Sequence, residues 1–156
     1  YMANIVLAMV DSRLIHGQTS LTWSKYAKAN LIIAVNDDLA KDAIKQGLMN
    51  MAAPNFVDCR YFSVKKMIDV IDTATDDQKI LVVCENLTDY VKLIDGGIKI
   101  DHIVVSRLEA KKSCQKISNQ LCIDDEDIKS YQILKNKGVN VEFKELPNAE
   151  SLVVSL

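Results

Sequence analysis

Apolar runs of strand length alternate along the chain with stretches in which apolar residues recur every three or four positions. "NIVLAMV" at 4–10 is a near-continuous apolar run, the pattern of a strand covered on both faces of a parallel sheet. A polar loop follows, and then a helix over about 18–29. "LIIAV" at 31–35 gives a second strand, and the "NDD" after it offers Asp37 or Asp38 as the cap of the next helix. That helix carries Leu39, Ala43, Ile44, Leu48 and Met51 at the spacing of one face, which predicts that this side is packed; "AAP" at 52–54 ends it. "FVDCRYF" at 56–62 reads as a third strand, with Ser63 capping a helix that sets Val64, Met67, Ile68 and Ile71 on one side. "KILVVC" at 79–84 is a fourth strand, followed by a short helix closing at Gly96-Gly97. "DHIVVS" at 101–106 is a fifth. The segment 107–121 is polar and without period, and no element is assigned to it. "DDED" at 124–127 puts negative charge at the front of a helix ending near Gly138, as the helix dipole favours, and the short strands "VNVEFKEL" and "LVVS" finish the chain.

Strands alternating with helices in this way predict one α/β domain over 1–156, a doubly wound and mainly parallel sheet with helices on both faces. Ligands of such sheets bind outside the carboxyl ends of the strands. With 156 residues, 49% of them hydrophobic, the chain can build one substantial core but not two. Its 19 basic and 21 acidic side chains leave a formal charge of -2, which gives no electrostatic footprint for nucleic acid. No apolar run approaches the roughly 20 residues that span a bilayer, and no charged segment leads into an apolar one at the start, so a cytoplasmic protein is expected. Tyr1 stands before Met2 and is set aside, on the expectation that the natural chain starts at the methionine. Cys59, Cys84, Cys114 and Cys122 lack paired C-x-x-C spacing, so no zinc site is expected; all four are taken as reduced, small core hydrophobes.

The loop after the first strand holds the candidate chemistry. In "VDSRLIHGQTSLTW", at 10–23, His16 is bracketed by polar residues rather than set in an apolar face. A neutral imidazole can attack phosphorus through one ring nitrogen. Arg13 offers a planar fork to phosphoryl oxygens, and Asp11 at the strand end can orient either the imidazole or the guanidinium. Gly17 lets a ligand approach the backbone closely, and the helix starting near Gln18 presents free N–H groups to the same loop. Asn36 and Asp37 end the second strand on the same edge, either as helix caps or as polar support for the site. His102, at the head of an apolar strand, and Trp23, on the apolar side of the first helix, are read as structural.

These residues also carry a resemblance. "D-x-R-L-I-H-G-Q" followed closely by Trp23, then "V-N-D-D-x-A-K-D" and "M-A-A-P", resemble the IIB component of the mannose/fructose/sorbose family of sugar phosphotransferase systems. "SVKKMID", "DGGIKI" and "DDEDIKSYQILKNKGVNVEFKELP" extend the likeness over nearly the whole chain. The resemblance implies a phosphoryl relay: His16 takes phosphate from a phosphohistidine on a IIA partner and passes it to a sugar held by the IIC and IID membrane subunits. Asp11 and Arg13 match the loop residues that support the phosphohistidine. Neither metal nor nucleotide cofactor is implied, and the chain would work peripherally at the transporter. The sugar stays open among mannose, fructose, sorbose and N-acetylgalactosamine, with a lean toward the amino sugar.

Two departures stand out. Ser12 replaces a carboxylate that many members carry between Asp11 and Arg13. Ser106, Arg107 and Leu108 stand where the family's glycine-containing turn is usual, and Arg107 becomes a candidate second cation. Two other readings compete. A receiver-like phosphorelay domain would use Asp37 or Asp38 as acceptor, and a non-catalytic regulatory protein would keep the fold without onward transfer.

Overall fold

A computed structural model describes residues 3–156; Tyr1, read above as preceding the natural start, lies outside them. Strand β1 (Ile5–Asp11) leads through the His16 loop into helix α1 (Gly17–Ala27), and β2 (Leu31–Val35) follows. After one turn of 3-10 helix come α2 (Ala43–Ala52), β3 (Asp58–Phe62), α3 (Val64–Val70), β4 (Ile80–Cys84) and α4 (Leu87–Asp95). The chain continues through β5 (His102–Arg107), a two-stranded unit of β6 (Gln115–Ser118) and β7 (Leu121–Ile123), α5 (Asp125–Asn136) and β8 (Asn140–Phe143).

Six strands form one sheet in the order β3-β2-β4-β1-β5-β8, and every neighbouring pair runs parallel. The β1, β2 and β4 runs are apolar throughout because both of their faces are covered. Ala8, Val10, Ile33 and Val82 belong to one core with Met67 of α3, Tyr90 of α4 and Leu134 of α5. Leu7, Met9, Ile32 and Val83 face the other way, into a core with Trp23 of α1 and Leu39. The expected doubly wound α/β architecture is present, and it makes β1 special. The connection after β1 runs to one face, whereas those after its neighbours β4 and β5 run to the other. A crevice opens where such connections diverge, at the carboxyl end of β1. Among the described residues no helix is long and apolar enough to cross a membrane.

Several expectations are corrected. Helix α1 stops at Ala27 because Lys28 turns left-handed at φ 57° and closes the helix with hydrogen bonds to Lys25 O and Ser24 O. β3 starts at Asp58, not Phe56, which is exposed. Ile44, Leu48 and Met51 do share a side of α2, but it is the solvent side: they are 79%, 62% and 85% exposed. The opposite side, with Met49 and the following Ala53, meets the sheet. Neither Asp37 nor Asp38 caps α2; Asp42 does, accepting from Lys45 N–H at 3.0 Å. The unassigned segment 107–121 contains β6 and the start of a β6–β7 hairpin. "LVVS" forms no strand and contributes only a bridge from Leu152 to Phe143. Cys114 and Cys122 are joined in a disulfide, against the expectation of reduced thiols, because that hairpin brings their Cα atoms to 5.6 Å. Cys59 and Cys84 are free.

Candidate phosphoryl-transfer site

The loop from Asp11 to His16 is folded by its own side chains. Leu14 N–H donates to Asp11 O at 2.8 Å, closing a turn, while Arg13 N–H donates to Asp11 Oδ1 at 2.9 Å. Leu14 takes a left-handed φ of 63°, unusual for a bulky residue and costing about 1–3 kcal/mol. Burial of Leu14 and Ile15 in the α1-side core offsets that cost and clamps the loop. His16 then occupies the N-cap of α1 in an extended conformation. Its own N–H donates to Ser20 Oγ at 2.9 Å, while its imidazole makes no capping bond and is left exposed at the rim. Gly17 continues the turn at φ 21°, where a side chain would be strained.

Arg13 is the hub. Its Nε and Nη2 donate to Asp11 Oδ1 at 3.3 Å and Oδ2 at 3.2 Å, a two-point ion pair with a carboxylate only 1% exposed. Nη2 also donates to Thr19 Oγ1 at 3.0 Å, and Nη1 lies 3.0 Å from His16 Nδ1. A guanidinium can only donate, so the Nδ1 lone pair accepts and the neutral ring carries its proton on Nε2. The nucleophilic lone pair is thus covered by the cation in the unphosphorylated chain. Phosphorus bonded to Nδ1 would take the place that Nη1 holds, so the Arg13 fork has to shift aside on phosphorylation and pair with the phosphoryl oxygens, next to the α1 N-terminus with its free amides and partial positive charge.

The expected site residues separate into four groups. Asp11, Arg13, His16 and Gly17 come together as described. Gln18 is exposed on the first turn of α1, and its carbonyl accepts from Thr22 Oγ1 at 2.8 Å. Asn36 and Asp37 start neighbouring elements: Asn36 Oδ1 accepts from Leu39 N–H at 2.8 Å, and Asp37 Oδ1 from Val64 N–H at 2.9 Å. Arg107 stands level with Asp11 across the β1–β5 pairing, just after an irregularity in that register. The extra residue keeps Leu108 in the same core as Val105, so Ser106 and Arg107 both fall between them. Arg107 O accepts from Ser12 N–H at 3.0 Å, and its Nε lies 3.6 Å from Glu109 Oε1. Sequence reasoning missed Thr19 and Ser20, the two α1 hydroxyls that fix Arg13 and His16, and it missed Ser12 Oγ, which accepts from Glu109 N–H at 3.1 Å. For Thr19 and Ser20, positions three and four residues past His16 were the only available signal. His102 lies elsewhere, 2.9 Å from Asn140 Nδ2 and 3.7 Å from Glu142, and Trp23 is core, its indole N–H reaching Ser106 Oγ at 3.3 Å.

The family model for the PTS system sorbose subfamily IIB component matches residues 5–155. The chain is 37% identical over 146 residues to the N-acetylgalactosamine-specific phosphotransferase enzyme IIB component 2 of Escherichia coli, covering 94% of this chain and 93% of that protein. It is 34% identical to the fructose-specific EIIB component of Bacillus subtilis, over 96% of this chain and 93% of that one. In three dimensions it is similar to the crystal structure of the N-acetylgalactosamine-specific IIB component 1 from Escherichia coli. That likeness has a TM-score of 0.93 at 33% identity and covers 97% of this chain and all of the other.

Proposed function

The chain belongs to the sorbose subfamily of IIB components of the phosphotransferase system, and from that membership we propose that it carries a phosphoryl group on His16 Nδ1 from a IIA donor to a sugar. IIB components are phosphotransferases of this system and act with IIA and membrane subunits. The membership leaves no place for a receiver-like domain, and Asp37 is already engaged with the start of α3.

The observation that carries the proposal is the 3.0 Å contact between His16 Nδ1 and Arg13 Nη1. In the first step Arg13 Nη1 moves from the Nδ1 lone pair to the phosphoryl oxygens, and that lone pair attacks the phosphorus of a phosphohistidine on the IIA protein. The donor's N–P bond breaks, and its electron pair returns to the donor imidazole. In the second step a sugar hydroxyl oxygen attacks the same phosphorus as its proton leaves to solvent, and the His16 N–P bond breaks with its electron pair returning to the imidazole. Both steps move charge on the phosphoryl oxygens, so fixed donors and exact placement supply the catalysis. Asp11 positions the Arg13 fork, Gly17 admits the phosphoryl oxygens to the α1 amides, and Arg107 adds positive charge at the adjoining strand end. No cofactor takes part. The sugar would be held by the IIC and IID membrane subunits, with this chain at their cytoplasmic face. N-acetylgalactosamine is the proposed sugar, supported by the names of the 37% identical relative and of the similar crystal structure.

The test is to incubate the chain and its His16→Ala variant with phosphoenolpyruvate, the general phosphotransferase proteins and a cognate IIA. One added phosphate that is lost in acid, survives base and is absent from the variant supports the reading. Phosphate retained by His16→Ala overturns it. Phosphate accepted but never passed to sugar in the presence of the membrane subunits returns the chain to a regulatory role.

A further inference from the structure

We infer that Cys114 and Cys122 are a reversible thiol modification site whose disulfide braces one wall of the phosphoryl site. Only the kinetic consequence rests on the His16 reading. The two sulfurs are bonded across the β6–β7 hairpin. β7 is held without them, because Leu121, Cys122 and Ile123 are all buried. The start of β6 and the segment before it are held less: Glu109, Lys112, Ser113, Gln115 and Lys116 are exposed, while Ile117 packs on the core and Ser118 Oγ bonds Glu145. A two-stranded ribbon of four and three residues is marginal by itself. The disulfide is therefore the covalent tie that keeps the exposed half of the hairpin against the buried half.

The hairpin reaches the site in few steps. Cys122 N–H donates to Leu108 O at 2.9 Å, and Leu108 N–H donates to Gln120 O at 3.0 Å. On one side of Leu108, Arg107 O holds Ser12 N–H; on the other, Glu109 N–H holds Ser12 Oγ and Glu109 Oε1 faces Arg107 Nε. Ser12 sits between Asp11 and Arg13, the ion pair that aims the cation at His16. Lys111 adds a second anchor, its Nζ 2.6 Å from Asp127 and 3.5 Å from Asp124 at the front of α5. Opening the disulfide leaves Leu108 bonded to β7 and Lys111 to the front of α5, but removes the covalent tie on the exposed stretch after Glu109.

The chemistry is a two-electron thiol–disulfide exchange. The partly exposed Cys114 thiolate attacks a small-molecule disulfide such as oxidised glutathione, releasing one thiol and forming a mixed disulfide. The buried Cys122, 7% exposed, then displaces the second thiol as its own proton leaves to solvent. Both electrons end on the small disulfide, and a thiol reductant reverses the sequence. In the reducing compartment where the proposed function places this chain, disulfides are transient and redox-sensing rather than permanent. Burial pushes the thiols of Cys59 and Cys84 up, which leaves them poor competitors.

The test equilibrates the whole wild-type chain at several ratios of oxidised to reduced glutathione. Redox state is read by alkylation and intact mass, and amide exchange is followed at Ser12, Glu109 and residues 115–118. Phosphoryl acceptance from a phosphorylated IIA is timed in parallel. The oxidised form is expected to slow exchange at Glu109 about tenfold or more, and to accept phosphoryl about threefold or more faster. Cys114→Ser should match the reduced wild type in both respects at every ratio. Failure to lose two hydrogens under strong oxidation, equal exchange at Ser12 and Glu109 in the two forms, or equal acceptance rates would each overturn the inference. Redox-dependent exchange with no phosphate on either form would overturn the His16 reading instead and leave the brace standing.

Discussion

Replacing Arg13 with glutamine removes a guanidinium that makes four contacts: Asp11 Oδ1 and Oδ2, Thr19 Oγ1 and His16 Nδ1. Two separable losses follow. The first is structural, because the Asp11 carboxylate is 1% exposed and loses its counter-charge. Removing one partner of a buried pair costs about 3–5 kcal/mol, and the retained backbone N–H bond to Oδ1 places Arg13→Gln toward the low end. The second loss is kinetic. A fixed donor aimed at charge that develops during transfer contributes about 2.7–4 kcal/mol, or roughly 10²–10³ in rate. The double variant Asp11→Asn/Arg13→Gln tells them apart. It leaves no uncompensated buried charge, so its stability should return to within about 1 kcal/mol of the wild type, while its transfer rate stays as low as that of the single variant. Urea unfolding reads the first quantity, and single-turnover transfer from a phosphorylated IIA reads the second. A double variant that regains rate along with stability would show that Arg13 acts only as scaffold. A single variant slowed less than about tenfold would remove the guanidinium from the transfer step altogether.

Two further outcomes bear on the fold. Burial pushes the Asp89 carboxyl up to about 6 against the pull of Lys92, and Glu85 and Asp37 add to the rise. Its pKa is raised in the folded state, so the fold takes up a proton between about pH 4 and 6, and the stability this group contributes at low pH is lost as pH climbs through 6. Asp89→Asn should therefore be more stable than the wild type at pH 7.5 in urea melts, with the gap closing toward pH 4.5; a gap that does not change with pH contradicts this. Leu48→Lys should shift stability by no more than about 0.5 kcal/mol, since the side chain is 62% exposed. A loss of about 2–5 kcal/mol in chemical denaturation would mean that Leu48 is packed after all.

What could be read from the chain follows from how local each signal is. The apolar runs at β1, β2 and β4 announce strands covered on both sides because burial on both faces removes polar alternation. The His16 loop was legible because Asp11, Arg13 and His16 lie within six residues, so turn geometry alone brings them together. Thr19 and Ser20 were not, since hydroxyls on a helix's first turn are common and only the folded loop shows what they hold. Periodicity placed Ile44, Leu48 and Met51 on one side of α2 but could not say which side the sheet covers, and α2 has apolar residues on both. Cys114 and Cys122 look like unrelated core thiols until the hairpin is known, and that hairpin is short, half-exposed and without alternation. The β5 irregularity that sets Arg107 level with Asp11 depends on pairing across 96 positions of sequence, which no local pattern carries.

The most direct test is a long-range proton–nitrogen spectrum of the histidine side chains, recorded on labelled chain before and after phosphorylation by a cognate IIA. There are two histidines, His16 and His102, so assignment is simple. In the unphosphorylated chain His16 should show an unprotonated Nδ1 and a protonated Nε2, as its contact with Arg13 requires. After transfer, Nδ1 of His16 should carry phosphorus while Nε2 keeps its proton and His102 is unchanged. Phosphorus on Nε2, on His102 or on neither ring would contradict the assignment of His16 Nδ1 as the carrier.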